Sequence, residues 1–241
     1  KQVIYKSAQI GFSTLAILKT MWLAKNRGMD IVYTLPSAND VLDFAGGKVN
    51  RIVAQNPVLQ EWVKDKDSVE QKKVGNNVIY WRGTWTERAA IMISADLICA
   101  DEVDRSKQAI IAQYDSRLQH SKYGWKWHFS NPSVEGNGVS RYWKLSDQKH
   151  WFVKCDNGHE WFMEWPDCID FNRKVFCCSK CGVELTDDQR RKGRWIKRFV
   201  DKEWSGYWIP LYIYCKVSAK KIIEDYETKS PEYFYNFVLG L

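Results

Sequence analysis

The chain has 241 residues, 45% of them apolar, with 36 Lys and Arg against 29 Asp and Glu for a formal net charge of +7. That length suits one large domain or a domain with a small satellite. With 13 Trp, 12 Tyr and 10 Phe against 14 Gly and 6 Pro, collagen-like and disordered classes are excluded. No apolar run is long enough for a spanning helix, so no membrane role is expected. The positive charge is compatible with a nucleic-acid partner, and equally with solubility alone. Lys1 falls inside a strand-like run, which reads as the edge of a longer protein.

Val3 to Tyr5 reads as a strand, followed by a polar loop with Gly11 and a helix from about Ser13 to Ala24, stopped near Gly28. Asp30 to Thr34 is a strand ended by Pro36-Ser37, and helical spacing runs from Val41 to Ala54. Val69 to Val74 and Val78 to Trp81 flank Gly75-Asn76-Asn77 as a hairpin. Ala90 to Ser94 is short ordered structure, and Asp96 to Ala100 is a buried strand with acids at its tip. A helix over Lys107 to Gln119 and a strand over Trp125 to Ser130 follow. This alternation predicts an α/β fold, a mostly parallel sheet flanked by helices. Past about residue 146 the chain turns aromatic- and cysteine-rich. Gly206 to Tyr214 then returns as a strand, and Ser218 to Leu239 as helix broken near Ser230-Pro231.

Seven cysteines, five of them between 155 and 181, make a poor disulfide framework and a good metal site. Cys178-Ser179-Lys180-Cys181-Gly182 is a turn on which two thiolates converge. Cys155 opens a second knuckle in which Gly158 stands where another cysteine is usual, so His159 is the expected fourth ligand, with Cys168 and Cys177 as substitutes. Four protein ligands make the expected zinc structural, in a zinc-ribbon-like insertion.

The loop Lys6-Ser7-Ala8-Gln9-Ile10-Gly11-Phe12-Ser13-Thr14 joins a strand to a helix, as phosphate-binding loops do. Gly11 and Ser13 take the last-glycine and hydroxyl positions, but Phe12 stands where the lysine belongs. Lys6, at the loop's start, is the nearby cation that can replace it. The bland alternative makes Ser13 a helix cap. Asp101 and Glu102 end an apolar strand, where one acid can serve Mg²⁺, together with Ser13, and the other the attacking water. Ser130-Asn131-Pro132 ends the next strand and is placed to sense the γ-phosphate.

With these elements in order, the chain resembles the ATPase domain of the large terminase subunit, the DNA-packaging motor of tailed bacteriophages, and most of all the phage lambda-type branch. That family often carries its lysine at the start of the loop, as Lys6 does here. Cys99 to Asp104 is similar to its acidic motif and Ser130-Asn131-Pro132 to its coupling motif. The resemblance implies a P-loop NTPase-type fold, with an ATPase core over 1–146, a cysteine-rich insertion over 147–186, and the completion of the domain with a linker toward a nuclease domain over 187–241. It implies Mg-dependent ATP hydrolysis that drives double-stranded DNA into a procapsid. A homo-oligomeric ring, a portal protein and a small terminase subunit are the implied partners, in the cytoplasm of the infected bacterium. A ring ATPase needs an arginine reaching a neighbour's nucleotide, for which Arg82, Arg88, Arg117 and Arg141 are candidates. Arg190, Arg191, Lys192, Arg194, Lys197 and Arg198 are the candidate DNA-facing cations, scattered as sequence-independent phosphate contacts are. The alternatives are a superfamily 2 helicase-like ATPase, and a zinc-stabilised nucleic-acid-binding module with an inactive nucleotide site.

Overall fold

The computed structural model describes residues 1–90 and 93–241, without the side chains of 64–67, 88 and 89. The chain opens with β1 (Gln2–Lys6) and divides into two compact units, Gly11–Phe129 with Lys1, and Gln2–Ile10 with Ser130–Leu241. Among the described residues no helix is long and apolar enough to cross a membrane.

In the first unit, α1 (Phe12–Arg27) is followed by β2 (Ile31–Leu35) and a continuous helical run. That run comprises α2 (Ala38–Leu42), a π-helical turn (Asp43–Val49) and α3 (Asn50–Ala54). α4 (Pro57–Trp62), β3 (Val63–Asp67), β4 (Gln71–Val74), β5 (Asn77–Gly83) and β6 (Leu97–Asp101) come next. α5 (Gln108–Asp115) and β7 (Trp125–Ser130) complete the unit. The strand order is β7-β6-β2-β5-β4-β3. The first four strands run parallel, and β4 and β3 add an antiparallel edge. β2 and β6 are buried at every residue, as strands covered on both faces require, which explains why they are apolar but for Thr34 and the terminal Asp101. β3, with the sequence VKDKD, has no strand signature; it forms because an edge strand tolerates charge. α1 ends with Lys25 and Arg27 in its last turn and Gly28 in the left-handed region, a complete helix stop.

In the second unit β1 pairs in parallel with β13 (Ser205–Ile209). The cysteine-rich region holds a three-stranded sheet, with β8 (His150–Lys154) between β9 (Glu160–Phe162) and β12 (Arg194–Ile196). It also holds the small hairpin of β10 (Ile169–Asp170) and β11 (Val175–Phe176). α6 (Gly138–Lys144) precedes this region, and α7 (Asp187–Arg191), with a Thr186/Gln189 capping box, lies just before β12. α8 (Ala219–Thr228), capped by Ser218, buries Ile222 and Ile223 in one core with Val153, Trp161, Phe176, Trp208 and Phe234. A short α9 (Pro231–Tyr233) runs into a π-helical turn (Phe234–Leu239). Trp208 Nε1 donates to the carbonyls of Leu239 and Gly240 and ties this turn to β13.

Candidate functional site

The parallel register of the first unit sets the tips of neighbouring strands side by side, with Asp101 opposite Phe129 and Ala100 opposite Thr34. Asp101 is almost fully buried. One carboxylate oxygen accepts from the Tyr33 hydroxyl at 2.8 Å and the other from the backbone N–H of Glu102 at 3.0 Å. Burial, and then the Asp101 charge, hold the Tyr33 pKa well above its ordinary value, so the phenol stays protonated and keeps donating. Glu102 turns the chain sharply at φ 53°, and its carbonyl accepts from the N–H of Arg105 and the hydroxyl of Ser106. A non-glycine residue in the left-handed region is strained and occurs mostly where the surroundings enforce it. The two acids thus differ in setting: Asp101 is fixed and enclosed, Glu102 half-buried on a forced turn.

Gly11, at φ 77°, is the N-cap of α1, a backbone that only glycine adopts without penalty. Ser13 and Thr14 lie in the first turn of this helix. Phe12, in the place of the usual lysine, packs its ring edge-on against Phe129 at 4.8 Å. Phe129 lies edge-on to Tyr33, which stacks on Phe44. Phe12 therefore anchors the start of α1 in the aromatic core around Asp101.

In the second unit, the Asn131 side chain holds the start of the loop. Its amide donates to the Lys6 carbonyl at 3.1 Å, and the Lys6 ammonium lies 3.5 Å from its oxygen. The N–H groups of Ser7 and Ala8 donate to the carbonyls of Ile209 and Phe237. These two amides are committed to the fold and are not free to bind a ligand. Gly240 lies against the chain here, and a Cβ on it would come within 2.9 Å of the Lys6 carbonyl carbon and the Ser7 nitrogen. The segment after β13 is thus the brace of the loop, a role its sequence does not announce.

The structure brings together Cys155, His159, Cys178 and Cys181, whose ligand atoms all lie within 4.8 Å of one another. Cys155 Sγ is 3.7 Å from His159 Nδ1 and 3.9 Å from Cys181 Sγ, and Cys178 Sγ is 3.8 Å from His159 Nδ1. A tetrahedral ion with bonds of about 2.0–2.3 Å has ligand edges of about 3.6–3.8 Å. The cluster is therefore able to hold a metal ion. Each knuckle is closed by backbone bonds, Cys155 with Gly158 and His159, and Cys178 with Gly182 and Val183. The Val183 N–H, above all, pulls the Cys181 thiol down to about 6, toward the thiolate a ligand must be. Cys168, in the apolar core, and Cys177 are both buried, and burial pushes their thiols up; neither belongs to the four.

Arg190 is a correction to the sequence reading. It is buried, not DNA-facing: its guanidinium donates to the carbonyls of Tyr212 and Val217, pairs with Asp187 and lies 4.2 Å from the centre of the Phe176 ring. Arg194 is exposed but held by both oxygens of Glu160, and Lys192 pairs with Asp188. Arg191, Lys197 and Arg198 are exposed. Of the candidate ring arginines, Arg141 is exposed on α6, Arg117 is half-buried, and Arg82 is engaged with Glu70 and the Tyr80 ring. The side chain of Arg88 lies outside the described residues.

Residues 1–197 match the family described as phage terminase large subunit gpA, ATPase domain. No curated protein matches the chain. Among solved structures, the large terminase ATPase domain of Thermus phage P74-26 is similar at a TM-score of 0.63 and 11% identity, over 99% of this chain and 87% of that one. The large terminase of a second thermophilic bacteriophage, in complex with ADP, is similar at a TM-score of 0.57 and 10% identity, over 100% of this chain. The chain spans about half of that protein's length, 48%. At these identities the likeness is one of fold.

Proposed function

Because the chain belongs to the ATPase-domain family of the phage terminase large subunit gpA, we propose that it is the ATP-hydrolysing motor that drives double-stranded viral DNA into a procapsid, in the phage lambda-type branch. The observation that carries the reading is the pair of acids at the end of β6, one buried and doubly hydrogen-bonded, the other on a strained turn. Such a pair divides the labour of phosphoryl transfer to water. Glu102 accepts a proton from the attacking water as its oxygen bonds to the γ-phosphorus and the bond to the bridging oxygen breaks. Asp101 and Ser13 would hold Mg²⁺, which when bound neutralises phosphate charge. Lys6 offsets charge on the phosphates from the start of the loop, and the N–H groups of the Gln9–Thr14 stretch cradle them. Asn131, hydrogen-bonded to Lys6, makes Ser130-Asn131-Pro132 the segment that reports the state of the nucleotide.

The Cys155, His159, Cys178 and Cys181 cluster would hold structural zinc, since four protein ligands leave no position for a reacting water. Arg191, Lys197 and Arg198 are the exposed cations offered to the DNA backbone, and Arg141, exposed on α6, is offered to another subunit's nucleotide. A homo-oligomeric ring, the portal protein and the small terminase subunit complete the machine, in the cytoplasm of the infected host.

The test is DNA-stimulated ATP hydrolysis by the wild type, Glu102→Ala and Lys6→Ala. The reading predicts stimulated turnover that falls at least about 100-fold in Glu102→Ala, with weakened ATP binding in Lys6→Ala. A wild-type chain that binds no ATP would favour the nucleic-acid-binding module with an inactive nucleotide site.

A further inference from the structure

The second unit carries a cleft of about 520 Å³ whose aromatic lining none of the roles above explains, although two of its cations, Lys197 and Arg198, are among those offered to DNA. Its volume is in the range of sites that enclose a small organic molecule, about 300–1,000 Å³. The rings of Trp143, Phe162, Trp165 and Trp208 line it, and His150 sits among them, 4.6 Å from Phe162 and 5.3 Å from Trp208 between ring centres. Aromatic faces of this kind are stacking platforms for flat heterocycles.

The polar groups narrow the ligand. His150 Nδ1 lies 3.0 Å from the carbonyl of Gln148, which can only accept, so Nδ1 carries the proton and Nε2 is left as an acceptor. Burial, with the Arg198 charge adding to it against the Gln148 bond, keeps the ring's pKa below the ordinary histidine value and the ring neutral. Glu164, on the exposed edge, is a second acceptor. Lys197 and Arg198, adjacent and exposed, put two cations on the lining. Acceptors beside stacked rings suit a heterocycle rich in N–H donors, and cations at its edge suit an attached phosphate.

We propose that this cleft binds a nucleobase carrying a phosphate, with the amino edge of the base toward His150 and Glu164 and the phosphate on Lys197 and Arg198. A free mononucleotide and an unpaired DNA strand present the same chemistry. The inference goes beyond the ATPase reading and does not depend on its nucleotide site, since neither the loop from Lys6 to Thr14 nor Asp101 and Glu102 line the cleft, and it shares with that reading only the cations Lys197 and Arg198.

The test is tryptophan fluorescence and calorimetry on the whole chain in the presence of saturating ATPγS, with dAMP, dTMP and a short 5′-phosphorylated oligodeoxyadenylate as probes. The expected result is one-to-one binding of dAMP with quenched fluorescence, and about tenfold weaker binding of dTMP, which lacks the amino group. His150→Phe, which keeps a ring in place, and the surface pair Lys197→Ala with Arg198→Ala should each weaken dAMP binding about tenfold. Tighter binding of the oligonucleotide than of dAMP assigns the cleft to a strand, and equal or weaker binding to a free nucleotide. Absence of binding by dAMP and the oligonucleotide, or binding that the lysine–arginine pair leaves unchanged, overturns the proposal. Because those two side chains are exposed, that variant decides the matter even if His150→Phe fails to fold.

Discussion

The acidic end of β6 and the Cys155–Cys181 cluster hold their functional groups by different means. Asp101 ends a strand buried at all five residues, with neighbours in register on both sides, so ladder and core fix its carboxylate. The cysteine cluster converges from two short knuckles, and its three sulfurs must be thiolates to bind a metal. Three like charges within 4.8 Å repel one another unless an ion lies between them. The first arrangement is therefore held by the fold alone, while the second, once its sulfurs are thiolates, would be held by an ion as well. Chemistry that must be rigid before its ligand arrives belongs on the sheet.

The contrast is broken most severely at the metal. Chelation, or Cys178→Ser, should release one zinc per chain by metal analysis and lower the melting temperature by more than about 10 °C. The near-ultraviolet signal of the tryptophans around β8 and β9 should be lost with it. A chain that keeps its melting temperature without metal would show that the knuckles stand alone. Arg190→Ala comes next, because it strips several backbone carbonyls of their donor and leaves Asp187 unpaired. It should cost about 3 kcal/mol in urea unfolding, while Arg191→Ala, on the surface, costs little.

Tyr33→Phe probes the other side of the comparison. It removes the donor from a buried carboxylate and should cost about 2 kcal/mol of stability, a bond to a charged group being worth about 1.5–3 kcal/mol. Its turnover should fall while the KM for ATP changes little, which separates positioning of Asp101 from binding. The smallest effect is expected for Phe12→Leu, about 1 kcal/mol from the lost ring pair with Phe129. A large gain or loss of ATP affinity in that variant would mean that Phe12 does more than anchor α1.

The sequence reveals what local pattern can encode. Gly11 and Ser13 after a strand, Asp101-Glu102 after an apolar run, and the paired knuckles are legible because their spacing is their geometry. Tyr33 is not, since it reads as one more strand residue until the parallel register sets β2 beside β6 and its hydroxyl reaches Asp101. Arg190 misleads for the same reason: in a charge run it looks solvated, and the carbonyls that bury it come from residues 22 and 27 positions further on. The bracing of Ser7 and Ala8 by β13 and the turn before Gly240 rests on pairing of the two ends of the chain, which no local signal carries.

The central claim, that the acid on the strained turn activates water while its buried neighbour does not, is tested most directly by single-turnover ATP hydrolysis in Glu102→Gln, with ATP binding measured in the same preparation. The account predicts binding within about threefold of wild type and hydrolysis slowed at least about 100-fold. Hydrolysis at the wild-type rate in that variant would contradict it.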